Sequence, residues 1–410
     1  MQYTINKIPA QIDVVVDLPA SKSISNRLLM ISALSGNKVN IENLSESDDT
    51  QTMKQLLHSG EKIKNAGHAG TTMRFLTAYY SQGNDEVILT GSERMKDRPI
   101  AELVNGLKNL GAEIDYLEKS GFPPLKIKGK KLHGGKISMH SGISSQYISA
   151  ILMIAPFLEG GLELNLTGEM LSTSYIDMTI ALMKQAGAVV DRKNNLIMVG
   201  SKSYNSCDLK VEPDWSSASY WFMIAGLHSN ARILLHDLKE ESLQGDSHIS
   251  NMFGKLGVNC KFSSDGLYLS YSSQQPREFR YDFTNNPDMV QSFVPYCVAR
   301  DIPFYFSGCK TLRIKETDRV SALYHELKKF GVEISYSEDG DTIWWDGLTR
   351  PDWLRKITIS TYKDHRMALG MVPLCIKSGE LSIDDPMVVT KSYPGFWDDF
   401  GNAGFTFMEG

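Results

Sequence analysis

Seven residues, Ser21 to Arg27 (S-K-S-I-S-N-R), bring three hydroxyls, an amide and two cations to one short stretch. The strand-like run Val14-Val15-Val16 precedes them and the helical, apolar run Leu28 to Leu34 follows. A helix that starts here presents unpaired backbone N–H groups and a partial positive charge, which suit an anion. Lys22 and Asn26 are four apart, as are Ser23 and Arg27, so each pair shares a helix face. Ser21 or Ser23 can cap it. Taken alone, the stretch also suits a capped surface helix with two solvated cations.

The same chemistry recurs. Gly67 to Arg74 (G-H-A-G-T-T-M-R) offers close backbone approach at Gly70 and hydroxyls at Thr71 and Thr72. Thr90 to Pro99 gathers Arg94, Lys96 and Arg98 at a loop-to-helix junction, with Pro99 expected at the first helical position. Ser144, Ser145 and Gln146 open an apolar helix, as Ser172 and Tyr175 do before Ile176. Hydroxyls and a carboxamide at such a start suit a phosphorylated polyol, and they also suit simple capping. Lys315 to Arg319 (K-E-T-D-R) and Tyr362 to Met367 (Y-K-D-H-R-M) open two more helices, and Lys391-Ser392-Tyr393-Pro394 lies near the end.

The helix dipole disfavours cations at a helix N-terminus. Lys22, Arg27, Arg94, Lys315, Arg319, Arg366 and Lys391 are all expected there. A bound polyanion with more than one anionic group explains that recurrence. Two carboxylates stand among these cations: Asp288, just before the apolar run from Met289, and Glu316, three residues from Arg319. Read from the residues alone, Asp288 suits a helix cap and Glu316 an ion-paired surface turn.

The elements that must position these residues repeat. A helix ending in Gly and followed by a strand occurs with Gly111, Gly187, Gly257 and Gly331, about seventy residues apart. A weaker copy begins at Met53. The glycines suit the left-handed position that ends a helix, and the period signals a repeated α/β unit. Further strands are expected over 195–200, 266–270 and 341–345. A domain break is expected near Val211 to Asp214, where Pro213 demands extended backbone. The other crossing falls just before Ser21.

With 410 residues, two domains are expected. A net charge of −5 leaves no global field for nucleic acid or a membrane surface, so any anion site is local. The five cysteines are odd in number with no C-x-x-C spacing, which argues against a zinc site or disulfide framework. The longest apolar stretch, Ile148 to Leu158, is too short to span a bilayer. A cytoplasmic location is expected.

In this order, S-K-S-I-S-N-R, A-G-T-T-M-R, R-M-K-D-R-P, S-S-Q, K-E-T-D-R, D-H-R-M-A and T-K-S-Y-P resemble the 5-enolpyruvylshikimate-3-phosphate (EPSP) synthase family, from residue 19 to residue 394. The resemblance implies an inside-out α/β barrel fold with two lobes, each of three βαβαββ units. Residues 1–19 with 213–410 would form one lobe and 20–212 the other, with the active site in the cleft between. Repulsion among the clustered cations would hold the lobes apart without ligand, and binding of the anions would close them. The enolpyruvyl group of phosphoenolpyruvate would pass to the 5-hydroxyl of shikimate 3-phosphate by addition and elimination, and inorganic phosphate would leave. No cofactor or metal is implied, and monomer is the expected state.

Carried over by resemblance, Lys22, Ser23, Arg27, Ser144, Ser145, Gln146, Ser172, Tyr175, Asp288 and Lys315 would bind shikimate 3-phosphate. Lys22, Gly70, Arg94, Gln146, Arg319, Arg366 and Lys391 would bind phosphoenolpyruvate. Asp288 would take the hydroxyl proton, Glu316 would serve the methylene carbon as acid and then base, and Lys22 would assist. Three departures from the family pattern stand out. The stretch from Asp49 to Gly67 is short by about one hairpin, so one unit is expected to be incomplete. His68 replaces a usual Asn, and Thr311 stands where an Asn often meets the phosphosugar. Two other readings are a UDP-N-acetylglucosamine enolpyruvyl transferase, against which the absence of Cys in 90–99 speaks, and a non-catalytic polyanion-binding relative.

Overall fold

A computed structural model describes residues 1–140, 142, 144–168 and 173–410. The chain divides into two compact units, Met1–Pro19 with Pro213–Gly410, and Ala20–Glu212.

Sheets and helices alternate as the sequence pattern predicts. In the first unit, strand Ile12–Val16 lies parallel to Ala231–His236, which is followed by the antiparallel hairpin Val258–Ser263 and Gly266–Tyr271. Helices Trp215–Leu227 and Ile249–Lys255 make the connections. A second sheet repeats the plan with Phe279–Asp282, Phe304–Ser307, Ser335–Tyr336 and Ile343–Trp345. A third is closed by the chain ends: Thr358–Ile359 runs parallel to Leu381–Asp384, and Gln2–Lys7 with Thr406–Glu409 stands where the hairpin would be.

The second unit carries two sheets of the same plan, one from Ile63 to Lys128 and one from His133 to Val199. Its third sheet has only the parallel pair Val39–Glu42 and Cys207–Lys210 among the described residues. The hairpin expected after helix Asp48–His58 is missing, and the chain passes to Ile63–Asn65 within a few residues. This is the shortening seen between Asp49 and Gly67.

Gly111, Gly187, Gly257 and Gly331 have φ of +95°, +91°, +98° and +86°, as their position after a helix demands. A further copy, Gly404 at φ +94° after helix Phe396–Asn402, escaped the sequence reading. The weak copy departs from the pattern: Gly60 is not left-handed, because no hairpin strand has to turn back after its helix.

The core lies around helices, with the sheets outside. Every residue of Trp215–Leu227 except Ser216 is buried, and so is all of Val290–Ala299 and His365–Met371. In the second unit, helices Lys22–Leu34, Gly70–Gln82, Ser145–Ile154 and Thr173–Gln185 pack on one another. Helices apolar on all sides can only be interior. Their polar starts are then the places where buried polar chemistry collects.

Candidate active site

In the first unit, four helix starts are tied together by charged side chains. Arg319, the first residue of helix Arg319–Lys329, is buried and donates to three carboxylates. Nη1 reaches Asp288 Oδ1 at 2.7 Å, Nη2 reaches Glu316 Oε2 at 3.0 Å, and Nε reaches Asp364 Oδ2 at 2.7 Å. Asp364 is fully buried and caps helix His365–Met371 by accepting from the Arg366 N–H at 2.9 Å. Arg366 donates from Nη1 to the Asp288 carbonyl at 3.2 Å and from Nη2 to Ser216 Oγ at 3.3 Å. Ser216 in turn donates to Asp246 at 2.5 Å, and Asn286 donates to the other Asp246 oxygen at 3.3 Å. Lys315 Nζ stands 3.3 Å from Asp288, and Lys391 Nζ stands 3.2 Å from Glu316.

These partners set the protonation states. Burial pushes the Asp288 carboxyl up, but Lys315, Arg366 and Arg319 outweigh it and hold the group well below the usual carboxylate range. The neighbouring cations thus favour the ionised form of Asp288. Burial would lower the Arg319 pKa, yet Asp364, Glu316 and Asp288 raise it above the ordinary value. Asp246 moves the other way: burial raises it more than the Ser216 hydrogen bond lowers it.

In the second unit, Arg27 is buried without a carboxylate partner among the described residues. It donates to Thr179 Oγ1 at 2.7 Å, to the Ser23 carbonyl at 2.9 Å and to Ser149 Oγ at 3.3 Å, and its plane lies 5.7 Å from the Tyr175 ring. Burial brings it down to about 10, so it stays charged at neutral pH. Lys22 pairs with Asp49 at 3.2 Å. Ser144 caps helix Ser145–Ile154 by accepting from the Gln146 N–H at 3.3 Å, and Gln146 Nε2 reaches Thr71 Oγ1 at 3.1 Å. Ser145 is buried beside it. Gly70 opens helix Gly70–Gln82. Ser172 lies outside the described residues.

Some placements differ from the sequence reading. Lys391 ends the 3₁₀ helix Pro386–Lys391 rather than starting one, because Pro386 at its head has already set the turn. Pro99 stands two residues before helix Ala101–Asn109, not at its first position. Arg94 is exposed in the four-residue helix Glu93–Lys96, whereas Arg98 is buried with its guanidinium against Gly70. A Cβ on Gly70 would meet Arg98 Nη1 at 2.6 Å, and Arg98 Nε has no hydrogen-bond partner among the described residues. Arg98 is thus a buried cation at a helix start with donor capacity unspent, a pattern that suits an anion. The missing side chain at Gly70 was its signal. Sequence reasoning also missed Asp49, Asp364, Asp246 and Ser216 as members of these networks. Asp364 was readable as a cap in D-H-R; the others become partners only through folding. His68 bonds Ser92 at 2.9 Å, and Thr311 Oγ1 is buried without a hydrogen-bond partner among the described residues.

The fold matches a solved EPSP synthase from Acinetobacter baumannii with a TM-score of 0.73 at 21% identity, covering 99% of both chains. It is an enolpyruvyl transferase fold. The sequence model of EPSP synthase (3-phosphoshikimate 1-carboxyvinyltransferase) matches residues 6–59 and 54–400. A 3-phosphoshikimate 1-carboxyvinyltransferase of Bacteroides fragilis strain YCH46 is 45% identical over 406 residues, covering 99% of this chain and 98% of that one. The enzyme of the same description from Aliivibrio salmonicida is 33% identical over 419 residues, covering 95% and 96%. The chain belongs to the EPSP synthase family.

Proposed function

We propose that this protein transfers the enolpyruvyl group of phosphoenolpyruvate to the 5-hydroxyl of shikimate 3-phosphate, releasing inorganic phosphate. The observation that carries the reading is Arg319 held among Asp288, Glu316 and Asp364 while Lys315, Arg366 and Lys391 press on the same carboxylates. Two proton carriers sit in a field of cations, which is what joining two anions by proton transfer requires.

In this reading Asp288 takes the proton of the 5-hydroxyl as its oxygen bonds to C2 of phosphoenolpyruvate. Glu316 gives a proton to C3, then removes one as the phosphate leaves and the double bond re-forms. Substrate anions would compete for Lys315 and Arg366, weakening their hold on Asp288 and making it a stronger base. The same competition at Arg319 and Lys391 would favour proton uptake by Glu316. Lys22, Ser23, Arg27, Ser144, Ser145, Gln146, Ser172, Tyr175, Asp288 and Lys315 would hold shikimate 3-phosphate. Lys22, Gly70, Arg94, Gln146, Arg319, Arg366 and Lys391 would hold phosphoenolpyruvate, and the buried Arg98 beside Gly70 joins that set.

No helix among the described residues is long and apolar enough to cross a membrane, and the reading places the protein in the cytoplasm as a monomer. The decisive assay is phosphate release from phosphoenolpyruvate with shikimate 3-phosphate. Release dependent on both substrates is expected; no release rejects the reading.

A further inference from the structure

Arg319 and Glu326 are seven residues apart on helix Arg319–Lys329, which is about two turns, so both project from one face. The segment from Ser360 to Arg366 is tied to that face at two points. At one, Asp364 accepts from Arg319 at 2.7 Å. At the other, fully buried Glu326 accepts from the Tyr362 hydroxyl at 2.7 Å and from the Ser360 N–H at 3.0 Å. Lys329 supplies the counter-charge to Glu326 at 2.6 Å.

The backbone between the two ties is strained. Tyr362 and Lys363 both have φ +55°, and neither is glycine. Side-chain-bearing residues hold that conformation only where their surroundings impose it. On the far side, the Thr361 N–H donates to Asp384 Oδ1 at 2.7 Å, and the Asp364 N–H closes the turn onto the Thr361 carbonyl at 2.9 Å. Nothing in the proposed chemistry uses Glu326 or Tyr362, yet they form the grip nearest this turn.

We infer that Glu326 and Tyr362 form a clasp that holds the left-handed turn in register with the helix and so positions Asp364, Arg319 and Arg366 for phosphoenolpyruvate. Both are positioning residues, and the kinetic part of the inference rests on the function proposed above. If the clasp opens, the turn relaxes toward ordinary φ, Asp364 moves off Arg319, and the two arginines lose their fixed spacing.

Tyr362→Phe removes one oxygen from a partly exposed ring and should leave the fold intact; Glu326→Gln is the second variant. In both, amide hydrogen exchange over 360–366 should quicken about tenfold or more, while exchange in the second unit stays unchanged. The KM for phosphoenolpyruvate should rise about tenfold, and that for shikimate 3-phosphate should move less than twofold. A merely structural defect would raise both alike. Unchanged exchange over 360–366, or equal rises in the two KM values, overturns the clasp. If the wild-type protein releases no phosphate, the functional reading fails by itself, and the exchange result still decides whether the clasp exists.

Discussion

Lys391 Nζ stands 3.2 Å from Glu316 Oε1, although seventy-five residues separate the two along the chain. Arg319 holds the other oxygen of the same carboxylate at 3.0 Å. In the proposed mechanism this carboxyl gives the proton to C3 and then takes one back. Glu316→Gln keeps the shape and removes the proton chemistry. Turnover is expected to fall by about 10²–10⁴, with phosphoenolpyruvate binding changed by less than tenfold. Stopped-flow binding beside steady-state kinetics checks this, and equal losses in both would remove the role assigned to Glu316.

Asp288 predicts an acid dependence of stability. Burial opposes its ionisation, but Lys315, Arg366 and Arg319 prevail, so its folded-state pKa is depressed. A depressed carboxylate stabilises fully above its unfolded value, about 3.9, and that contribution is lost as pH falls through the folded value. Urea midpoints measured from pH 7 to pH 2 should fall more gently below about pH 4 in Asp288→Asn than in the unaltered protein. Parallel curves would show that the ion pairs add nothing.

Inorganic phosphate alone should reveal competition for the same cations. If it draws Lys315 and Arg366 from Asp288, the Asp288 carboxyl titrates at higher pH with phosphate present, because the charges that depress it are engaged elsewhere. Carbon-13 titration of the aspartate carboxyls, with Asp288→Asn to assign the signal, reads this directly. An Asp288 signal indifferent to phosphate would mean that the anion binds elsewhere.

Gly70→Ala tests the contact with Arg98. The added methyl would stand 2.6 Å from Arg98 Nη1, so the guanidinium must move. The obstacle is the end of a flexible side chain, and the melting temperature is expected to change little. The affinity for phosphoenolpyruvate should fall about tenfold, which corresponds to about 1.4 kcal/mol. Unaltered affinity would show that neither the guanidinium position nor the helix start matters to the anion.

The repeat glycines make a prediction about backbone alone. Gly331 has φ +86°, and the nearest atom to an added Cβ is 3.8 Å away. Gly331→Ala therefore creates no clash and should cost about 1–2 kcal/mol from the left-handed conformation. Gly401, inside helix Phe396–Asn402 with open space around it, should respond with the opposite sign, gaining up to about 1 kcal/mol. Urea unfolding of the two variants measures both.

Local rules carried much of the fold and part of the site. Gly111, Gly187, Gly257 and Gly331 were legible because ending a helix in a left-handed residue is a local demand. The short stretch after Asp49 announced the missing hairpin, since a strand pair cannot be built from so few residues. Lys315, Glu316 and Arg319 were legible as neighbours only because they are close in sequence; the helix begins at Arg319, so Lys315 and Glu316 precede it rather than share its face. Arg94 against Arg98 was not, since both are arginines in one short loop and only packing decides which is buried. Asp246, Ser216 and Asp49 were hidden because their partners lie far away in the chain.

By itself the sequence determined the α/β repeat, the approximate start of several helices, and which side chains there could bear charge or move a proton, because all of these follow from backbone geometry over a few residues. Tertiary structure alone decided which carboxylate meets which cation: that Arg319 bridges Asp288, Glu316 and Asp364, that Lys391 reaches Glu316, and that Arg98 lies behind Gly70. Charges separated by dozens of residues interact through distance in space and exclusion of water, and both are set only when the helices pack.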